Sequence, residues 1–346
     1  MNKLIFEYDT HEGKTYSLPK TAIDNRSFAP IEKYMRKTDA KLPDLCEYQV
    51  AEHYKSLLSD KACMGDNFLN TIFDDMSRLD GFTGVHPYQL PDACQGALEL
   101  VFTLGHMLCD MFGMKQFTFQ PSSVTGGVLT ALGIIKAYAE KQHKNRKVIL
   151  VSEDADEILL SYIEKSGFEA KKLDFGTAEI DKEELSAVAG AVIEISPLKT
   201  RDLSHIFDIA AILRDNDCIV CCDANKMKSF IGELRPGDIG FDMMYFDVEN
   251  VFEVANFEGE CDCAALGVTD KLSGFMPVPA IEIDDEEQYY LSFDKPYSIG
   301  KENDFYGDFS CLIKTISYIL SLGFDGLKEK AHLNALQEKY GKLCSD

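Results

Sequence analysis

The chain has 346 residues, room for two ordinary domains or for one large α/β domain with appendages. Its 35 Lys and Arg stand against 58 Asp and Glu, a net charge of −23. That balance argues against a nucleic-acid surface, which needs a basic face for phosphates, and against binding to anionic membranes.

In chain order, residues 1–70 read as an N-terminal arm. It has a short apolar start, the segment Tyr16-Ser17-Leu18-Pro19 and a helix predicted around Val50–Leu58. A regular alternation follows. Gln95–Gly113 is apolar at helical spacing, and Lys115–Gln120 alternates like a strand. Gly127–Lys141 reads as an amphipathic helix, Lys147–Val151 as a buried strand and Asp154–Ser166 as a helix. Ala191–Ile195, Cys218–Cys222, Met243–Phe246 and Ala264–Val268 read as further strands, with a helix at Ser204–Arg214. Short continuous apolar strands alternating with helices predict a mostly parallel sheet covered on both faces. Ligands of such sheets bind outside the carboxyl ends of the strands. Pro277-Val278-Pro279 marks a break, and Asp284-Asp285-Glu286-Glu287 reads as a solvated acidic loop. Phe305–Leu322 is predicted as a last long helix, continued by a polar helical tail to Asp346. The domain expectation is therefore an arm at 1–70, a large α/β domain at 71–280 and a helical extension at 281–346.

Three groups of residues could carry chemistry. The strand ending at Gln120 runs through Pro121 into Ser122, Ser123, Val124, Thr125, Gly126 and Gly127 at the start of a helix. Small residues there let backbone N–H groups approach an anion, and the helix dipole favours it. The same residues also suit an ordinary N-cap with glycine turns, so both readings stay open. Asp223 follows the apolar strand Cys218–Cys222, which suits either a ligand-facing carboxylate or a turn residue. Cys218, Cys221, Cys222, Cys261 and Cys263 could offer thiolates to a soft metal, but clean zinc spacing is absent and they read as small buried hydrophobes. His86 reads as a hydrogen-bonded structural residue. The 11 cysteines in a chain whose start, Met1–Glu7, has no signal-peptide core predict free thiols and a cytoplasmic location.

Several segments, taken together and in order, resemble the second subunit of the glycine decarboxylase P-protein of the glycine cleavage system. They are Leu4–Glu7 with Tyr16–Pro19, Gly81-Phe82-Thr83-Gly84-Val85-His86-Pro87 with Gln95–Leu100, and Gln120-Pro121 with Leu129-Thr130. Stronger are Arg235-Pro236-Gly237-Asp238-Ile239-Gly240-Phe241-Asp242 and Lys295–Gly300 with Phe305–Phe309. The resemblance covers nearly the whole chain. It implies a fold-type-I, aspartate-aminotransferase-like large domain of the pyridoxal phosphate (PLP) enzymes, with a mostly parallel sheet. It also implies that Asp223 holds the pyridinium nitrogen and that Ser122, Ser123, Thr125, Gly126 and Gly127 line the phosphate site of a PLP pocket.

The departures are as telling. Counted without gaps from Gly240-Phe241-Asp242, the family's His-Lys pair falls on Glu249 and Asn250, while Phe252 still matches and the count closes again at Gly267-Val268. Asn250 has no amine to form a Schiff base. Asp156 stands where the family has the histidine over the cofactor ring. The family's glycine-rich stretch has become Glu253–Asp262, with Glu258 and Glu260 added, and its Thr-Asn-Pro-Asn loop has become Ile195-Ser196-Pro197-Leu198. Of the family's substrate-side loop only Cys63-Met64 is suggestive, and the small C-terminal domain is expected to be largely missing. Lys226 and Lys228, just past Asp223, are the nearest amines in sequence.

The resulting expectation is a catalytically inactive homologue, a pseudoenzyme acting as a binding or assembly subunit with no cofactor and no metal. Its expected partner is another P-protein-like subunit or a second copy, and the resemblance adds a lipoyl-carrying H-protein. The alternatives are a PLP-dependent glycine dehydrogenase (decarboxylating) with altered cofactor use, and a thiol or metal-binding protein.

Overall fold

The structure, a computed structural model, describes residues 76–175, 184–196, 203–252 and 263–340. The predicted arm at 1–70, with its Val50–Leu58 helix, Cys63 and Met64, lies outside these residues. So do Pro197, Leu198 and the stretch 253–262 with Glu258, Glu260 and Cys261.

A one-turn helix at Asp80–Thr83 precedes α1 (Gln95–Phe112), whose end is set by Gly113 in the left-handed region at φ 72°. Then come β1 (Gln116–Thr118), α2 (Val124–Lys141), β2 (Val148–Ser152), α3 (Glu157–Lys165) and β3 (Glu169–Leu173). The centre of the chain supplies β4 (Val188–Glu194), α4 (Leu203–Asp215), β5 (Ile219–Asp223), β6 (Met243–Asp247), the short α5 (Val248–Phe252) and β7 (Ala264–Val268). The end supplies β8 (Ala280–Ile283), β9 (Tyr289–Ser292) and α6 (Phe309–Tyr340).

Seven strands form one sheet in the order β1-β7-β6-β5-β4-β2-β3. β3, β2, β4, β5 and β6 run parallel, while β7 is antiparallel to both of its neighbours. Period-two alternation divides the strands' side chains between two cores. Ala191, Ile193, Val220, Cys222, Met244 and Phe246 pack on one face with α1, α4 and α6. Val192, Cys221, Met243 and Tyr245 pack on the other with α2 and residues of α3. Burying a side chain of this size stabilises by about 1.5–3 kcal/mol, so the central strands hold the sheet together. Their common direction brings the carboxyl ends of β4, β5 and β6 to one edge.

Three elements differ from the sequence reading. The predicted Asp154–Ser166 helix starts only at Glu157, because Asp156 is its N-cap. The predicted Phe305–Leu322 helix starts at Phe309, because Asp308 Oδ1 accepts from the backbone N–H groups of Ser310 (2.8 Å) and Cys311 (3.4 Å). It breaks at Gly323, at φ 62° and ψ −174°, just past the predicted end. Its first half, with Cys311, Leu312, Ile313 and Ile316, is buried in the same core as α1. The acidic loop at 284–287 is the turn of the β8–β9 hairpin: Asp284 Oδ1 accepts from the N–H groups of Glu286 and Gln288, both at 2.9 Å. Among the described residues no helix is long and apolar enough to cross a membrane.

Candidate active-site cleft

A cleft of about 300 Å³ opens at the carboxyl ends of β4 and β5, between the starts of α2 and α3. Register places three side chains at its floor: Glu194 on β4 lies opposite Asp223 on β5, which lies opposite Tyr245 on β6. Asp223 Oδ1 accepts from the backbone N–H of Asn225 (3.1 Å) and from its side-chain Nδ2 (2.8 Å). Oδ2 accepts from the Tyr245 hydroxyl at 3.0 Å. Burial pushes the Asp223 carboxyl above the usual aspartate range; the bonds from Asn225 and Tyr245 oppose this, and the charge of Glu194 adds to it. The fully buried Tyr245 is raised well above its ordinary value, first by burial and then by Asp223. Lys226, half exposed, donates from Nζ to Glu194 Oε2 at 2.8 Å.

The site residues expected from sequence separate into roles. Thr125 lines the cleft, and so does Asp156, whose carboxylate accepts from the N–H of Leu159 at 2.7 Å as the cap of α3. Ser123 caps α2 by accepting from the Gly126 N–H at 3.2 Å. A Cβ on Gly127 would touch Tyr245 Cβ at 3.5 Å and Ala264 Cβ at 3.7 Å, so this glycine brings α2 against the sheet. Ser122 is exposed and lines a neighbouring hollow with Asn303 and Phe305, outside the Asp223 cleft. Asn250, exposed on α5, does not line the cleft. Its Nδ2 donates to the backbone O of Asn225 at 3.2 Å, and its N–H donates to Asp247 Oδ1 at 3.1 Å. Asn225 Oδ1 in turn accepts from the N–H of Asp247 at 2.8 Å. Lys228 sits half-buried in the turn Met227–Phe230, away from the cleft lining.

The described cysteines do not assemble a centre. Cys218, Cys221, Cys222 and Cys263 are buried and free, and burial raises the thiols of Cys221 and Cys222 well above their ordinary value. Among the described residues no group of His, Cys, Asp and Glu is close enough to hold a metal ion. His86 accepts at Nδ1 from the N–H of Tyr88 at 3.1 Å and serves its own exposed turn. Sequence reasoning missed Glu194, Asn225 and Tyr245. Glu194 and Asn225 stand at or just past a strand end, which was the available signal; Tyr245, inside β6, gave none.

No protein-family model matches the chain. Curated relatives do, along almost its full length. The probable glycine dehydrogenase (decarboxylating) subunit 2 of Caldanaerobacter subterraneus subsp. tengcongensis is 33% identical over 361 residues, covering 99% of this chain and 74% of the relative. The chain belongs to this family. Its counterpart in Alkaliphilus oremlandii is also 33% identical, covering 98% of this chain and 75% of the relative, and that of Thermus thermophilus is 30% identical with 98% and 75% covered. Among solved structures, the glycine decarboxylase (P-protein) of the glycine cleavage system in inhibitor-bound form superposes with a TM-score of 0.55. That match has 18% identity and covers 87% of this chain and 73% of the other. A NifS-like protein gives a TM-score of 0.50 at 13% identity, covering 77% and 69%. The fold is that of the fold-type-I PLP enzymes.

Whether these residues fit PLP can be asked of the cleft itself. The cofactor needs an anion site, a carboxyl group for its ring nitrogen and an amine for its aldehyde. The start of α2 and Asp223 meet the first two needs. The third is unmet at Asn250, and the cleft's own ammonium, Lys226, is held by Glu194. Among the described residues, Asp154, Asp156 and Glu194 line the cleft beside that ammonium and oppose a phosphate dianion. The residues present do not fit a covalently held PLP.

Proposed function

We propose that this member of the glycine dehydrogenase subunit 2 family acts as a binding or assembly subunit and does not itself carry out aldimine chemistry. The observation that carries this reading is Asn250. At the position the resemblance gives to the cofactor lysine, its amide is used to tie α5 to Asn225. A catalytic amine there has been replaced by a structural hydrogen bond. The subunit would work in the cytoplasm with another P-protein-like subunit or a second copy, near a lipoyl-carrying protein, as the family resemblance implies.

The second reading is an active PLP-dependent glycine dehydrogenase in which a different lysine serves. Lys226 favours it, because it lines the same cleft as Asp223. One experiment separates the two. The purified protein is mixed with PLP, its visible spectrum is recorded, and it is then reduced with borohydride and mapped by mass spectrometry. The assembly reading expects no aldimine band and no specific lysine adduct. A single stoichiometric adduct on Lys226 would sink it in favour of the enzyme.

A further inference from the structure

The misfit between the Asp223 cleft and PLP has a direction. A phosphate asks for donors and positive charge. Among the described residues, the charged side chains lining the cleft are those of Asp154, Asp156, Glu194, Asp223 and Lys226. The start of α2, which would draw an anion, is already capped, with Ser123 Oγ accepting from the Gly126 N–H at 3.2 Å. What the lining does hold is an ammonium: Lys226 Nζ donates to Glu194 Oε2 at 2.8 Å.

Asp223 is a second acceptor in the same cleft. Its donors, the N–H and Nδ2 of Asn225 and the hydroxyl of Tyr245, are all neutral. Asn225 uses Oδ1 and Tyr245 uses Oδ2. A carboxylate has about four lone-pair positions, two on each oxygen, so Oδ2 keeps one for a further donor. Burial raises this carboxyl, and the charge of Glu194 adds to the rise. A cation at Oδ2 opposes both, because it favours the ionised form. Apolar side chains share the lining: Val124 and Val128 of α2, Ile158 and Leu159 of α3, and Val192 of β4. Ile158 is 63% exposed, a large apolar side chain left in water at the cleft. An ammonium on a short hydrocarbon body satisfies both kinds of lining.

We infer that the cleft binds a small primary amine in its protonated form, with the ammonium on Asp223 Oδ2 and the hydrocarbon chain against Val124, Val128 and Ile158. The cleft volume of about 300 Å³ suits a chain of a few carbons. The inference rests on the misfit with PLP that also supports the assembly reading, and it gives a ligand class to a site which that reading leaves without one.

The test titrates the full chain at pH 7 with probes of one shape and different charge, pentylamine, 1-pentanol and pentanoate, read by ligand-observed NMR. For so small a ligand the expected Kd of pentylamine is on the order of 1 mM. The alcohol should bind roughly tenfold more weakly, and pentanoate should not bind. An acidic protein also gathers cations loosely over its surface, so two variants locate the site. Asp223→Asn, which keeps an acceptor for Asn225, should weaken pentylamine roughly tenfold. Lys226→Gln removes the cleft's own positive charge and should tighten pentylamine about threefold, a gain that misfolding does not produce. Equal binding of amine and alcohol, unchanged amine binding in Asp223→Asn, no tightening in Lys226→Gln, or no binding at about 10 mM overturns the inference. The borohydride experiment separates the two readings. No adduct and no pentylamine binding removes this inference and leaves the assembly reading standing. An adduct on Lys226 with pentylamine binding intact does the reverse.

Discussion

Asn225 joins the two halves of the candidate site, holding Asp223 with one end and receiving Asp247 and Asn250 with the other. Asp223 is thereby fixed in place by neutral donors, and its carboxyl is raised by burial. The sign of the consequence follows from linkage. Below the ordinary aspartate value, about 4, both folded and unfolded chains hold this proton and the group contributes nothing. As pH rises through that value the unfolded chain releases the proton first, so stability falls until the folded carboxyl ionises too. Asp223→Asn keeps an acceptor for Asn225 and removes this fall. The variant should be at least as stable as the parent at pH 7 and should lose that advantage toward pH 4, as read by denaturant unfolding at the two pH values. A variant that loses stability at pH 7 but not toward pH 4 would mean that the carboxylate is needed in its charged form. At this scale the sequence was informative about identity and less so about contacts. Asp223 and Asn250 were found by motif and count. Tyr245 was hidden because a buried strand of Met, Tyr and Phe gives no sign that its hydroxyl points to a carboxylate one strand away.

Among the elements, the Arg235–Asp242 motif has a physical reason of its own. α1 ends at Gly113 directly against the turn Pro236–Ile239, and a Cβ on Gly237 would lie 1.9 Å from the backbone O of Gly113. Backbone meets backbone there, so no side chain can rotate aside. Gly237→Ala should cost about 1–3 kcal/mol, the range of an overpacked site that must shift its backbone. Thermal unfolding measures this; a loss under about 0.5 kcal/mol, the surface range, would show that the turn simply moves away. The central strands were legible because each is a short apolar run bounded by turn residues. β3 was not, since Glu-Ala-Lys-Lys-Leu has the charges of an edge and no apolar run. The β8–β9 hairpin was missed because its turn is four acids, and Asp284 makes that turn by folding onto its own backbone.

At the scale of the whole molecule the excess of acid sets a condition on stability. A net charge of −23 repels itself more strongly in the compact state than in the expanded one. The exposed ion pairs that could offset this, such as Lys144–Asp217 and Lys301–Asp304, are each worth little in water. Salt shortens the reach of both effects, to about 10 Å at 0.1 M and about 3 Å at 1 M. Repulsion summed over many distant charges is lost sooner than attraction within contact pairs, so added salt should stabilise. Between 10 mM and 300 mM sodium chloride the melting temperature should rise by about 2–4 °C, the shift that 1 kcal/mol produces in a domain of this size. Sodium sulfate at equal ionic strength separates screening from the general effect of excluded salts, because only the latter adds a further rise. A melting temperature that falls in chloride would mean that local pairs outweigh the net charge. The acidic surface would then be an organised network of local pairs.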